Sequence, residues 1–150
     1  MPVEKSCGAV IFHENEYLLL KYGWGHWGFV KGNIEKGEDI KETFFREAEE
    51  EAGLKRENLR IVDGFKEKIS YFYRKEGKTI FKVVVYLLAE SNTKNVKLSF
   101  EHTDYAWLPF EEALQLVTYE GDKKVLKKAH EFLKRIWGLY LNIDAHINKK

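Results

Sequence analysis

Three glutamates, Glu47, Glu50 and Glu51, sit in a segment with helical apolar spacing, and their arrangement constrains the chain more than any other feature. At about 100° per residue, with Glu47 as zero, Glu50 falls near −60° and Glu51 near +40°, so the three carboxylates share one arc. Phe44, Phe45, Ala48 and Ala52 fall between about 60° and 160° and form the packing face, while Glu49 points away. Residues 39–52 are therefore expected to be a helix, stopped by Gly53 in the C′ position. Like-charge pairs three and four residues apart cost about 0.2–0.5 kcal/mol each. The trio also lies toward the helix C-terminus, where the macrodipole disfavours anions. Arg46 can pair with Glu42 or Glu50 but cannot neutralise three acids. A solvated acidic face is the simpler alternative, and it fits poorly. A divalent cation removes the conflict, and carboxylate oxygens suit magnesium or manganese. Gly32, directly after Lys31, lets the backbone approach a ligand or metal closely, and Gly37 turns the loop into the helix.

The rest of the chain is compatible with one folded domain over residues 1–150. The 25 Lys and Arg nearly cancel 24 Asp and Glu, leaving +1. That balance argues against a dedicated nucleic-acid binder or a cationic membrane-surface protein. Cys7 is the single cysteine and cannot form an internal disulfide, so no oxidising compartment is implied. No run approaches the roughly 18 apolar residues of a membrane span. A cytoplasmic location is the expectation. Low Met, Cys and Gln amid many Lys and Glu resembles thermophile usage.

Residues 3–12 and 17–21 read as a strand pair around a polar turn. Residues 59–73 and 79–89 read as two long β segments joined through Lys75-Glu76-Gly77, and 105–108 as a short strand. Pro109 then opens a helix at a tolerated position. Val125, Ala129, Phe132, Leu133, Ile136 and Tyr140 fall at helical spacing, giving an amphipathic closing helix over about 121–140. Strands interrupted by helices point to an α/β or α+β sandwich around a mixed sheet.

Gly32, five residues, Glu38, seven residues, then Arg46-Glu47-Ala48-Glu49-Glu50-Glu51-Ala52-Gly53-Leu54 resembles the complete Nudix box, with no position departing from it. The resemblance implies the Nudix α/β/α sandwich around a mixed β-sheet. It also implies hydrolysis within the phosphoanhydride of a nucleoside diphosphate linked to another group. By this resemblance Glu47, Glu50 and Glu51 are metal-binding carboxylates and Arg46 orients them. Lys31 contributes its backbone carbonyl or its ammonium group.

From about Cys7 to about Leu133 the chain is similar to the diadenosine tetraphosphate hydrolase group of that family. The similar stretches are Cys7-Gly8-Ala9-Val10-Ile11-Phe12, His26-Trp27, Gly64-Phe65-Lys66, Tyr71, Gly77-Lys78-Thr79 and Glu101-His102. The group often carries proline before Lys-Gly, where this chain has Gly28-Phe29-Val30. Tyr71, 17 residues beyond Leu54, takes the place of a base-stacking tyrosine, with Tyr119 as its counterpart. The competing reading puts Tyr71 in the sheet core. Lys31 and Lys78 meet phosphate oxygens, and His26 donates to a bridging or leaving oxygen; a loop histidine packed between tryptophans is the alternative. Glu101 supplies a further metal-binding carboxylate from outside the box. Glu50 is the first choice to accept the proton of the attacking water, Glu101 the second, with Glu51 and Arg46 completing the catalytic set.

The expected reaction is magnesium- or manganese-dependent cleavage of a small-molecule dinucleoside polyphosphate, with diadenosine tetraphosphate giving ATP and AMP. The alternatives are another Nudix substrate (an oxidised nucleotide, a nucleotide sugar or an RNA 5′ end) and a nucleotide sensor that binds without hydrolysing.

Overall fold

The computed structural model describes residues 1–148, with side chains through residue 137; Tyr140 of the expected apolar face lies outside the described side chains. The strands are β1 (Val3–His13), β2 (Glu16–Tyr22), β3 (Trp27–Gly28), β4 (Val30–Asn33), β5 (Leu59–Ile61), β6 (Glu67–Lys75), β7 (Lys78–Ser91) and β8 (His102–Pro109). The helices are α1 (Ile40–Ala52), α2 (Phe110–Leu116) and α3 (Glu120–Asn148), with a single 3₁₀ turn at Arg56–Asn58. The result is a mixed sheet between helices on both faces, as the Nudix resemblance implies.

β1 and β7 form the parallel centre, in register from Val3 opposite Phe81 to Phe12 opposite Glu90. Alternation along β1 explains its almost uncharged sequence. Cys7, Ala9 and Ile11 pack toward α1 with Phe44, Ala48 and Ala52. Val10 and Phe12 pack on the opposite face with Val125, Leu126, Ala129 and Leu133 of α3. A strand covered on both faces needs apolar residues at both parities. Each fully buried large side chain in these clusters contributes roughly 1.5–3 kcal/mol.

The expected strand over 59–73 is two strands. β5 and β6 both pair antiparallel with β7, Ile61 opposite Ala89 and Glu67 opposite Tyr86. Between them the chain leaves the sheet so that Phe65 enters the core. Gly64 makes that excursion at φ +93°, and a Cβ there would lie 3.2 Å from the Phe132 ring. β6 and β7 are joined by Glu76-Gly77, both at positive φ, the geometry of a tight hairpin turn.

α1 has the expected ends. Asp39 caps it in a reciprocal box with Glu42, and Gly53 closes it at φ 68°. Its packing face is rotated from the expected one. Thr43, Glu47 and Glu51 are buried with Phe44, Ala48 and Ala52, while Phe45 is half-buried under the Arg56 guanidinium. Glu42 is used by the cap and does not pair with Arg46. Among the described residues no helix is long and apolar enough to cross a membrane.

Candidate active site

β1 holds β4 with Gly8 opposite Lys31 and Cys7 opposite Gly32, which lays Lys31-Gly32 across the carboxylate face of α1. A Cβ on Gly32 would stand 2.0 Å from the Glu47 carboxyl carbon. Glycine is therefore required by the close approach of that carboxylate to the backbone. The Lys31 N–H donates to Glu51 Oε1 at 3.0 Å. Arg46 then organises the acids. Its Nε and Nη2 grip both oxygens of Glu38 at 2.7 and 3.0 Å. Its Nη1 reaches Glu47 at 2.6 Å and Glu50 at 3.2 Å, and Nη2 also donates to the Asn33 carbonyl.

The loop before β8 brings in the fourth acid. The Ser99 N–H donates to the Glu51 carbonyl, and the Gly23 N–H donates to the Glu101 carbonyl. Glu47, Glu50, Glu51 and Glu101 line one cleft of about 670 Å³ together with Lys31 and Lys82. Burial, reinforced by Glu47 and Glu101, pushes the Glu51 carboxyl up to about 8. Burial also raises Glu47, against the pull of Arg46. Acids so crowded and so poorly hydrated are held in a state that a cation would relieve. The donor set is carboxylate oxygen throughout, which fits a hard divalent ion. Among the described residues no three of these groups yet converge on one point; Arg46 holds Glu47 and Glu50, and Glu50 and Glu101 are exposed.

Beside this cleft lies a second cavity of about 730 Å³, lined by His26, Tyr71, Tyr119 and Asp122 among others, and again by Lys31 and Lys82. Tyr71 is 36% exposed, with Lys31 Nζ 3.5 Å from its hydroxyl. It lies on the cavity wall and outside the sheet core. Reciprocal bonds between Trp27 and Thr118 tie the β3 loop to the segment before α3, which sets His26 beside Tyr119. The His26 ring stacks on Tyr22 at 4.5 Å and 8° between planes. Its neighbours are tyrosines, where the sequence alternative had tryptophans. Burial and the Lys31 charge lower its pKa.

The NUDIX domain family matches residues 3–129. The asymmetrical bis(5′-nucleosyl)-tetraphosphatase of Mus musculus is 38% identical over 143 residues, 86% of this chain and 95% of that protein. The chain belongs to the Nudix family. A Caenorhabditis elegans Ap4A hydrolase crystallised as a binary complex superposes with a TM-score of 0.77 at 34% identity, over 87% of this chain and 97% of that one. An RNA pyrophosphohydrolase of Nitratiruptor is 30% identical over 118 residues, 73% of this chain and 74% of that protein.

In this Nudix chain most of the expected site residues meet around the two cavities: Glu47, Glu50, Glu51, Arg46 and Glu101 in the acid cleft, Tyr71, Tyr119 and His26 in the other, Lys31 in both. Lys78 does not join them. It begins β7 opposite Lys75 at the hairpin turn and lines neither cavity. The lysine that reaches the shared wall is Lys82, directly opposite Tyr71. Sequence reasoning passed over it, although counting outward from the Glu76-Gly77 turn pairs Lys82 with Tyr71. Two further polar groups carried no such register signal, His102 standing only as part of the similar stretch Glu101-His102. His102, 6% exposed, accepts or donates at Nδ1 with Ser99 Oγ, and its Nε2 has no hydrogen-bond partner 3.8 Å from Glu51 Oε2. Asp122 is buried at the start of α3, where the Tyr86 hydroxyl donates to it.

Proposed function

We propose that this Nudix enzyme hydrolyses dinucleoside polyphosphates asymmetrically, converting diadenosine tetraphosphate to ATP and AMP. The observation that carries the reading is the sharing of Lys31 and Lys82 between an acid cleft and an aromatic cavity. A polyphosphate needs cations along its chain and a polar centre where a bond breaks; a nucleoside needs flat apolar walls. The two cavities offer these side by side. The similarity to asymmetrical tetraphosphatases over most of the chain supports the same reading.

Glu47, Glu50, Glu51 and Glu101 would hold magnesium or manganese, which when bound offsets phosphate charge and acidifies a water. Arg46 holds Glu47 and Glu50 in position. Lys31 and Lys82 meet non-bridging oxygens as point charges. Glu50 accepts the proton of the attacking water, with Glu101 as the alternative base. His26, kept neutral by burial beside Lys31, donates an N–H to the leaving oxygen. Tyr71 and Tyr119 supply the stacking surfaces.

The test is product analysis after incubation with diadenosine tri-, tetra- and pentaphosphate and magnesium. Hydrolysis of the tetraphosphate in ¹⁸O-water is expected to yield ATP and AMP with the label in AMP; ADP as the sole nucleotide product, with the label in half of its molecules, would overturn the assignment. RNA 5′-end hydrolysis is the second reading, favoured by the similarity to the Nitratiruptor enzyme. Faster turnover of 5′-triphosphorylated RNA than of the dinucleotide in the same assay would select it.

A further inference from the structure

Asp122 stands in the first turn of α3, a place where an acid ordinarily faces solvent or caps its own helix. It does neither. It is 5% exposed, and one oxygen, Oδ1, accepts from the Tyr86 hydroxyl of β7. The other, Oδ2, points past Gly28, where a Cβ would lie 3.3 Å away, and among the described residues it has no hydrogen-bond donor. The residue lines the same cavity as Tyr71 and Tyr119. Burial pushes its pKa up, opposed by the Tyr86 hydroxyl and by the charges of Lys31 and His26.

An ionised carboxylate is an acceptor and nothing else. An acceptor with no protein donor, on a residue that lines the cavity, is open to a ligand N–H. A phosphate would be repelled there, and cations await it at the other end, at Lys31 and Lys82. Next to Asp122, Gly121 comes so close to Ile69 that a Cβ would stand 3.1 Å from its Cδ1. Ile69 therefore gives the cavity an apolar side next to the carboxylate, suited to a flat ring.

We propose that Asp122 determines base specificity, its free oxygen accepting a hydrogen bond from the exocyclic amino group of the base held in the tyrosine cavity. The inference rests on the reading that a nucleoside occupies this cavity, and it adds which nucleosides: those with an amino group on the edge turned toward α3.

AMP and purine riboside 5′-monophosphate differ only in that amino group, and calorimetry compares their binding. The unmodified protein is expected to bind AMP at least tenfold more tightly. In Asp122→Leu combined with Tyr86→Phe, which removes the acceptor without stranding the hydroxyl, the ratio should fall to within twofold. Asp122→Asn keeps the volume and weakens the acceptor, so the ratio should fall there too, and this variant decides the matter if the double variant does not fold. Equal binding of the two nucleotides by the unmodified protein would overturn the proposal, as would an undiminished ratio in Asp122→Asn. A loss on going to 2′-deoxy-AMP that disappears in Asp122→Asn, with no effect of the amino group, would assign the contact to ribose and also overturn it. Failure to cleave any dinucleotide would instead remove the reaction assigned above, whatever the monophosphate ratio.

Discussion

Tyr71 and Lys82 are direct cross-strand partners on β6 and β7 and lie on one wall of the aromatic cavity. The ring presents a flat apolar surface, and the ammonium beside it reaches toward the acid cleft. Lys82 Nζ is presently held by Asn33 Oδ1 at 2.8 Å and Glu4 at 3.2 Å. Half-burial lowers its pKa, opposed by Glu4.

This pairing makes the two lysines of the hairpin unequal. A charged hydrogen bond contributes about 1.5–3 kcal/mol, so Lys82→Ala should lower kcat/KM roughly 10- to 150-fold. Lys78→Ala, at the turn, should change it less than about threefold. Steady-state kinetics on the two variants checks this, and equal losses would contradict the placement.

Tyr71→Ala should raise KM by a factor corresponding to about 1–3 kcal/mol, the range for a base stacked on an aromatic ring. Tyr71→Phe should be mild. Because the ring lies outside the core, the melting temperature of both variants should stay near that of the parent. A fall in melting temperature with unchanged KM would show a structural role instead.

Two glycines face large side chains and should behave differently when replaced by alanine. At Gly32 the obstacle is the end of the flexible Glu47 side chain, at 2.0 Å. Gly32→Ala should displace that carboxylate and cost at least about two orders of magnitude in rate, as expected for a group acting on transition-state charge, with little change in stability. At Gly8 the obstacle is the rigid, buried Tyr86 ring at 2.3 Å. Gly8→Ala should destabilise by about 1–3 kcal/mol through overpacking. Thermal melts and initial rates, measured together, separate the two outcomes.

Chelation should abolish turnover, and magnesium or manganese should restore it. Glu51→Gln should lose roughly a hundredfold or more in rate without unfolding, since the side chain barely changes volume. Full turnover in excess chelator would remove the metal mechanism.

His130 supplies a pH dependence remote from the acids. Its ring stacks on Phe110 at 3.9 Å and bonds the Tyr17 hydroxyl at 2.8 Å, joining α3 to α2 and β2. Burial, reinforced by Lys134, lowers its pKa below 6.5. The unfolded chain therefore takes up a proton at a higher pH than the native one. Stability contributed by the neutral ring is complete above 6.5 and declines as pH falls through and below that value. Thermal melts between pH 7.5 and 5 should show a shallower decline for His130→Gln than for the parent.

The sequence by itself determined the features whose geometry is local. A helix repeat alone places Glu47, Glu50 and Glu51 on one arc, and Asp39 and Gly53 mark where that helix begins and ends. The uncharged run in β1 required cover on both faces. Tertiary structure decided what depends on register and docking. The rotation of α1 that buries Glu47 and Glu51, yet leaves Glu50 exposed, is set by its fit against β1 and β4. The break between β5 and β6 follows from Phe65 finding space against α3, which no local preference encodes. Lys78 and Lys82 are chemically alike, and the hairpin register puts Lys82 at the shared wall and leaves Lys78 at the turn. Asp122 reads locally as an ordinary acid in a first helical turn. It became a buried acceptor because α3 packs across the sheet onto Tyr86, a partner 36 residues away in the chain. Local periodicity fixes direction around an element's axis, whereas the choice of neighbour is made by the packing of distant elements.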